Sequence, residues 1–200
     1  MASTSLLPRR RRALGILLFL MAGCGLFGPR DPEPPNQSSL NFLPPTEPSI
    51  VVTNLQNAVD QKNVQNYVSC FADPSKGGRS YVFIPSAEAS AQYGPALSGW
   101  TATQEQSYFQ NLVAKSPSTA FSSLTLTNKD SLVTSDSVVY GYHYVFTFGH
   151  NDPGFPQTAQ GNLQFTIATD KNNFWSITRW VDFKTGNDIT WSVFKGKFSN

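Results

Sequence analysis

Tyr140-Gly141-Tyr142-His143-Tyr144-Val145-Phe146-Thr147-Phe148 is the stretch from which the fold is read. Successive side chains of a β-strand point to opposite faces. Tyr140, Tyr142, Tyr144, Phe146 and Phe148 therefore share one face, and His143 stands on the other. Turned toward helices, such a row is core; left open, it is a surface for a partner or a second copy. Residues 119–128, 159–169 and 174–183 are similarly rich in β-branched and aromatic residues, separated by Asn, Asp, Gly and Pro. Asp170-Lys171-Asn172-Asn173 has the composition of a tight hairpin connection.

Upstream the period changes. Val51, Leu55, Ala58 and Val59 follow Pro48 at helical spacing. Val64, Tyr67, Val68 and Phe71 repeat the stripe, with Asn63 placed as its cap and Pro74 and Gly77-Gly78 as its end. Tyr81 to Pro85 reads as a short strand. Thr101 and Gln104 then have capping-box spacing ahead of Tyr108, Phe109, Leu112 and Val113. Helices first and strands later predict an α+β domain over 48–200, with about three helices on one face of an antiparallel sheet.

The first 47 residues have a different character. Arg9 to Arg12 precede an uncharged apolar run, Ala13 to Ala22. A membrane-spanning helix needs ~20 such residues, so the run fits a cleavable export signal instead. Leu20-Met21-Ala22-Gly23-Cys24 resembles the lipobox of bacterial lipoproteins, with Met21 where Leu is more usual. That resemblance implies that residues 1–23 are removed and that Cys24 is diacylated and becomes the mature N-terminus. The protein would then be held on a membrane outside the cytoplasm, in the cell envelope. Gly25 after the cysteine, rather than Asp, favours the outer membrane in a Gram-negative cell. Residues 24–47 read as a Pro-rich tether, reaching up to ~70 Å at ~3.1 Å per residue.

Charge and cysteine usage narrow the function classes. Fifteen basic side chains less the four leading arginines leave eleven against thirteen acidic ones, a net of −2 for the mature chain. This gives no electrostatic basis for binding nucleic acid. The two cysteines are Cys24 and Cys70. With Cys24 acylated, Cys70 has no intrachain partner and is expected to be a buried, inert thiol.

The order of elements resembles the NTF2-like superfamily, also called SnoaL-like or cystatin-like. The resemblance rests on Asn54-Leu55-Gln56-Asn57-Ala58-Val59 leading to Tyr67-Val68-Ser69-Cys70-Phe71-Ala72-Asp73, and on Phe174-Trp175-Ser176-Ile177-Thr178-Arg179-Trp180 near the end. The continuation through Trp180-x-Asp182 and Trp191…Lys195 resembles a subgroup of uncharacterised bacterial lipoproteins. The implied shape is a cone of helices on a strongly curved sheet, enclosing a cavity. Steroid-isomerase members place a Tyr on the first helix and two Asp on strands; the matching positions fall near Leu55, Ile84 and Phe165, all apolar.

The fold supports many functions, so the site residues must carry the argument. Phe165, Thr178, Trp180 and Asp182 are the candidate cavity lining. Asp182 beside Trp180 has the setting of a carboxyl with a raised pKa, and His143 is the other candidate acid or base; Asp182 is equally placed to tie down the C-terminal tail. No GxSxG, phosphate loop, HExxH or CxxC occurs, and neither His143 nor His150 has a second metal ligand at motif spacing. No cofactor or metal is expected. Three readings result: a non-catalytic envelope protein binding a small apolar ligand or a partner protein; an enzyme of hydrolase, dehydratase or isomerase type using Asp182 and His143; and a component that self-associates, for example as a homodimer, through the aromatic row.

Overall fold

The computed structural model describes residues 42–199 apart from Gly78 and Ser135. The expected export signal, Cys24 and most of the expected tether lie outside the described residues.

Helix α1 spans Pro48–Asp60, with proline in its first turn and Val51, Val52, Leu55, Ala58 and Val59 buried on one face. Asn54 on the same face clamps the incoming chain, its side chain accepting from Leu43 N at 2.9 Å and donating to Leu43 O at 2.7 Å. The domain's contacts thus begin before residue 48. Helix α2 (Val64–Val68) is capped by Asn63, whose side chain accepts from Asn66 N. After a 3-10 turn at Pro74–Lys76 come strand β1 (Val82–Ile84), helix α3 (Ala87–Leu97) and helix α4 (Ala102–Ala114). Both bonds of the Thr101–Gln104 capping box are present at the start of α4. Helix α3 was not expected. Its sequence is short on large apolar residues, contains Pro95, and is kinked at Tyr93.

The long strands follow: β2 (Ser122–Val133), β3 (Ser137–Phe148), β4 (Thr158–Thr169) and β5 (Trp175–Phe183). Sheet order is β1-β5-β4-β3-β2. The three hairpin pairings are antiparallel, but β1 joins β5 in parallel, so the sheet is mixed. Register shifts interrupt β2/β3 between Thr127 and Asp130 and β4/β5 between Thr166 and Ile167. Such irregularities bend long strands and increase their twist. A final helix, α5 (Trp191–Lys197), occupies the stretch expected only as a tail.

The aromatic row faces the helices: its five rings are between 0% and 8% exposed. It is therefore core and cannot serve as a self-association surface. Phe83, Trp180, Phe165 and Tyr140 stand side by side in register across β1, β5, β4 and β3, with Trp180 edge-on to both Phe83 and Phe165.

Candidate functional site

Two charged residues lie on apolar helical stripes. On α4, Glu105 shares its face with Tyr108, Phe109 and Leu112, all four buried. On α5, Lys195 shares its face with Trp191 and Phe194, and Phe198 continues it. Positions i, i+3, i+4 and i+7 meet on one side of a helix, so a charge on such a stripe is carried into the core. The structure brings the two together. Lys195 Nζ forms an ion pair with Glu105 Oε1, both side chains fully buried. Tyr67 Oη donates to Glu105 Oε2 at 2.9 Å, and Tyr81 Oη donates to Oε1 at 2.6 Å. Aromatic rings complete the enclosure: the ammonium is 3.5 Å from the Trp180 ring centroid, 3.8 Å from Phe83 and 5.8 Å from Trp100.

Burial lowers the Lys195 pKa to about 8, against the opposing pull of Glu105. The Tyr67 and Tyr81 hydroxyls are pushed well above their ordinary value, by burial first and by Glu105 second. Desolvating two charges costs several kcal/mol each unless pairing and hydrogen bonds offset it. Here the carboxylate has three donors. Sequence reading missed this pair, although Glu105, three residues before Tyr108, and Lys195, next to Phe194, interrupt otherwise apolar stripes.

Asp182 is the second buried carboxylate. It accepts from Tyr144 Oη at 2.9 Å, from Ser192 N at 2.7 Å and from Ser192 Oγ. Tyr144 Oη in turn accepts from Trp191 N at 2.8 Å. Burial raises the Asp182 pKa, and the Ser192 and Tyr144 bonds oppose that rise. Its acceptors are engaged in holding the first turn of α5, the tail-anchoring role. His143 lies on the other face of the sheet, its Nδ1 3.2 Å from Asn162 Oδ1, whereas Asp182 points inward with Tyr144. The two candidate acid–base residues are not brought together.

Of the residues expected to line a cavity, Phe165, Trp180 and Asp182 stand on the inner face of the sheet. Phe165 and Trp180 are fully buried, Asp182 nearly so and Thr178 9% exposed. Trp180 and Asp182 meet the chain's own C-terminal helix: Asp182 accepts from Ser192, and Trp191 packs edge-on to Trp180 at 4.6 Å and stacks on Phe146 at 4.2 Å. Thr178 is the unpaired residue of the β5 bulge, and its Oγ1 donates to Thr166 O at 3.1 Å. Among the positions matched to the isomerase residues, Leu55 and Phe165 are buried, but Ile84 is 37% exposed and turned outward. Its neighbour Phe83 takes the inward place, because a one-residue offset on a strand reverses the face. Cys70 is buried, with Sγ 3.3 Å from Asn66 O, and burial drives its pKa upward.

Surface hollows lie elsewhere among the described residues. A cleft of about 380 Å³ lies between α2 and the start of α4, with Gln65, Phe71, Tyr81, Thr101 and Gln106 among its walls. A shallower hollow of about 520 Å³ lies on the outer face of the sheet near His143, Asn162, Phe183 and Lys184. Neither includes Glu105, Asp182 or Trp180 in its lining. A general base must reach its proton by a hydrogen bond or one water; both buried carboxylates spend theirs internally. Among the described residues no three His, Cys, Asp or Glu converge as a metal site, and no helix is long and apolar enough to cross a membrane.

No protein family matches the chain, and no curated protein sequence does. Solved structures do. One is an NTF2-like superfamily protein from Salmonella enterica serovar Typhimurium, 16% identical, with 68% of this chain and 87% of that one covered at a TM-score of 0.51. Another is an NTF2-like protein of unknown function from Pseudomonas putida, 10% identical, covering 72% and 87% at 0.52. A third is a conserved protein from Planctomyces limnophilus, 10% identical, covering 68% and 91% at 0.51. The domain has the NTF2-like fold, an α+β cone. At these identities the likeness extends to the fold alone.

Proposed function

We propose that this chain is a lipid-anchored protein of the bacterial cell envelope, attached through an acylated Cys24, whose NTF2-like domain binds a partner protein there. One observation carries the choice of a partner over an enclosed apolar ligand or a catalytic site. Helix α5 fills the concave side of the sheet, where this fold would otherwise hold a pocket, with Trp191, Phe194 and Lys195 all at most 0% exposed. The surface, in turn, presents apolar side chains on adjoining strands. Val82 and Ile84 of β1 and Phe183 of β5 point away from the core and are 48%, 37% and 48% exposed. The anchor reading is supported by the arginine run, the short apolar run and Leu20-Met21-Ala22-Gly23-Cys24 in that order; two acyl chains suffice for stable attachment where one does not.

Two measurements test it. Intact-mass analysis of the native product is expected to show a chain beginning at Cys24 with acyl mass; an unmodified chain beginning at Met1 defeats the anchor. A photoreactive residue at position 183 in intact cells is expected to give a discrete protein adduct that one at exposed Gln92, on α3, does not. Identical patterns from both positions would defeat the docking reading.

A further inference from the structure

Two of the surface hollows are parts of one groove. The cleft of about 380 Å³ between α2 and the start of α4 shares Ser69, Phe71 and Asp73 with a second hollow of about 230 Å³, which continues past them to Phe42, Asp170, Phe174 and Trp175. Together they fall within the roughly 300–1,000 Å³ of ligand sites. The two ends differ in chemistry. At the first, Gln65, Ser80, Thr101, Thr103 and Gln106 present amides and hydroxyls. The side chains of Gln65, Ser80, Thr103 and Gln106 make no hydrogen bond among the described residues. At the second end aromatic rings line the wall, with Phe174 43% exposed and Trp175 half-buried.

Among the described residues no lysine, arginine or histidine lines either hollow, and the charges present are the carboxylates of Asp73 and Asp170. Each is positioned by its own turn. Asp73 Oδ1 accepts from Ser75 N at 2.9 Å and from Ser75 Oγ at 2.7 Å. Asp170 Oδ1 accepts from Asn172 N at 2.7 Å and from Phe174 N at 3.0 Å. An anionic ligand therefore finds no cation to offset its charge. An extended peptide finds no open strand edge, which strand addition requires. The backbone of β5 at this end is already taken: Trp175 N donates to Pro45 O, Ile177 N donates to Cys70 O, and Ile177 O accepts from Ala72 N.

We propose that this groove binds an uncharged saccharide chain, with a sugar ring against Phe174 and Trp175 at one end and sugar hydroxyls on Gln65 and Gln106 at the other. A pyranose has the matching division of surface. Its C–H face is apolar and broad enough to lie on an aromatic side chain. Each of its hydroxyls both donates and accepts, as the neutral side chains of the first hollow do. Carboxylates add acceptors for the same hydroxyls, and hydrogen bonds to a charged group are the stronger kind. The walls do not include Val82, Ile84 or Phe183, so the site goes beyond the partner-binding reading and does not rest on it.

The test uses the full chain in a detergent without a sugar headgroup. Cellotetraose and tetra-N-acetylchitotetraose are the probes, and tryptophan emission is the readout, since Trp175 lines the groove. At least one of the two is expected to change the emission saturably, with a Kd of about 1 mM or tighter. Gln106 and Phe174 are both exposed, and Gln106→Ala and Phe174→Ala are each expected to weaken that binding about three- to tenfold. Gln65→Ala takes the place of Gln106→Ala if the latter does not fold. Gln92→Ala, on α3, is expected to leave binding unchanged. No saturable change with either saccharide overturns the site, and so does binding that the variant at either end leaves as in the wild type. Equal weakening by Gln92→Ala overturns its location. Equally tight binding of an uncharged capped tetrapeptide overturns the assignment to saccharides.

Discussion

Glu105 and Asp182 both bury a carboxylate and both hold helix α5, by different means. Asp182 grips the first turn through neutral donors, the Ser192 amide and hydroxyl and the Tyr144 phenol. Glu105 grips the middle of the helix through an ammonium, with two phenols in support. A carboxylate satisfied by dipoles depends on geometry, and losing one dipole leaves the rest in place. One satisfied by a cation creates mutual dependence, because removing either partner strands a charge in the core. The same helix is thus fastened once by a set of separable bonds and once by a pair that stands or falls together.

Breaking the ionic fastening is expected to have the largest effect. Glu105→Gln leaves the Lys195 ammonium facing an amide and should cost about 3–5 kcal/mol, read from the shift in urea midpoint. Combining it with Lys195→Met should recover part of that loss, since the two sites touch and are coupled; a double variant no more stable than Glu105→Gln would mean that the pair carries no coupling. The neutral fastening comes next. Asp182→Asn keeps the shape but gives up a charged acceptor, and should cost about 1–3 kcal/mol. A loss as large as that of Glu105→Gln would erase the distinction between the two ends.

Acidity sharpens the comparison further. The Lys195 pKa is about 8 in the folded chain against 10.5 ordinarily. Between those values the unfolded chain binds the additional proton, so this group raises the unfolding free energy as pH climbs through that window and contributes no slope below it. Tyr67 and Tyr81, whose pKa values are raised, act in the opposite direction once unfolded tyrosines ionise near 10. The charged groups that face the ammonium are Glu105 and Asp182. The wild type should therefore gain stability relative to Lys195→Met from pH 8 to about 10 in chemical denaturation; a flat difference would show that burial does not lower this lysine. The smallest effect belongs to the outer face, where His143→Ala should change stability by no more than about 0.5 kcal/mol.

Local patterns were legible without the structure, because periods of 2 and 3.6 are properties of a short stretch of chain. The alternation from Tyr140 to Phe148 indicated a strand with one aromatic face, Thr101 and Gln104 indicated where a helix starts, and helices before strands indicated an α+β domain, to which the family resemblance added the cone. Helix α3 escaped because Gly94, Pro95 and small residues leave it little apolar face, and its packing against α5 does what propensity does not. The one-residue ambiguity at Phe83 and Ile84 could be resolved only by seeing which of them meets Trp180. The parallel pairing of β1 with β5 joins residues about a hundred positions apart, and no local pattern encodes a partner at that distance. Glu105 and Lys195 were visible as charges on apolar stripes, ninety residues apart in the chain. That they neutralise each other, and that Lys195 rather than open space fills the concave side, follows from how α4, β5 and α5 converge. Propensity and period act between near neighbours, whereas charge pairing and cavity filling depend on which distant surfaces meet.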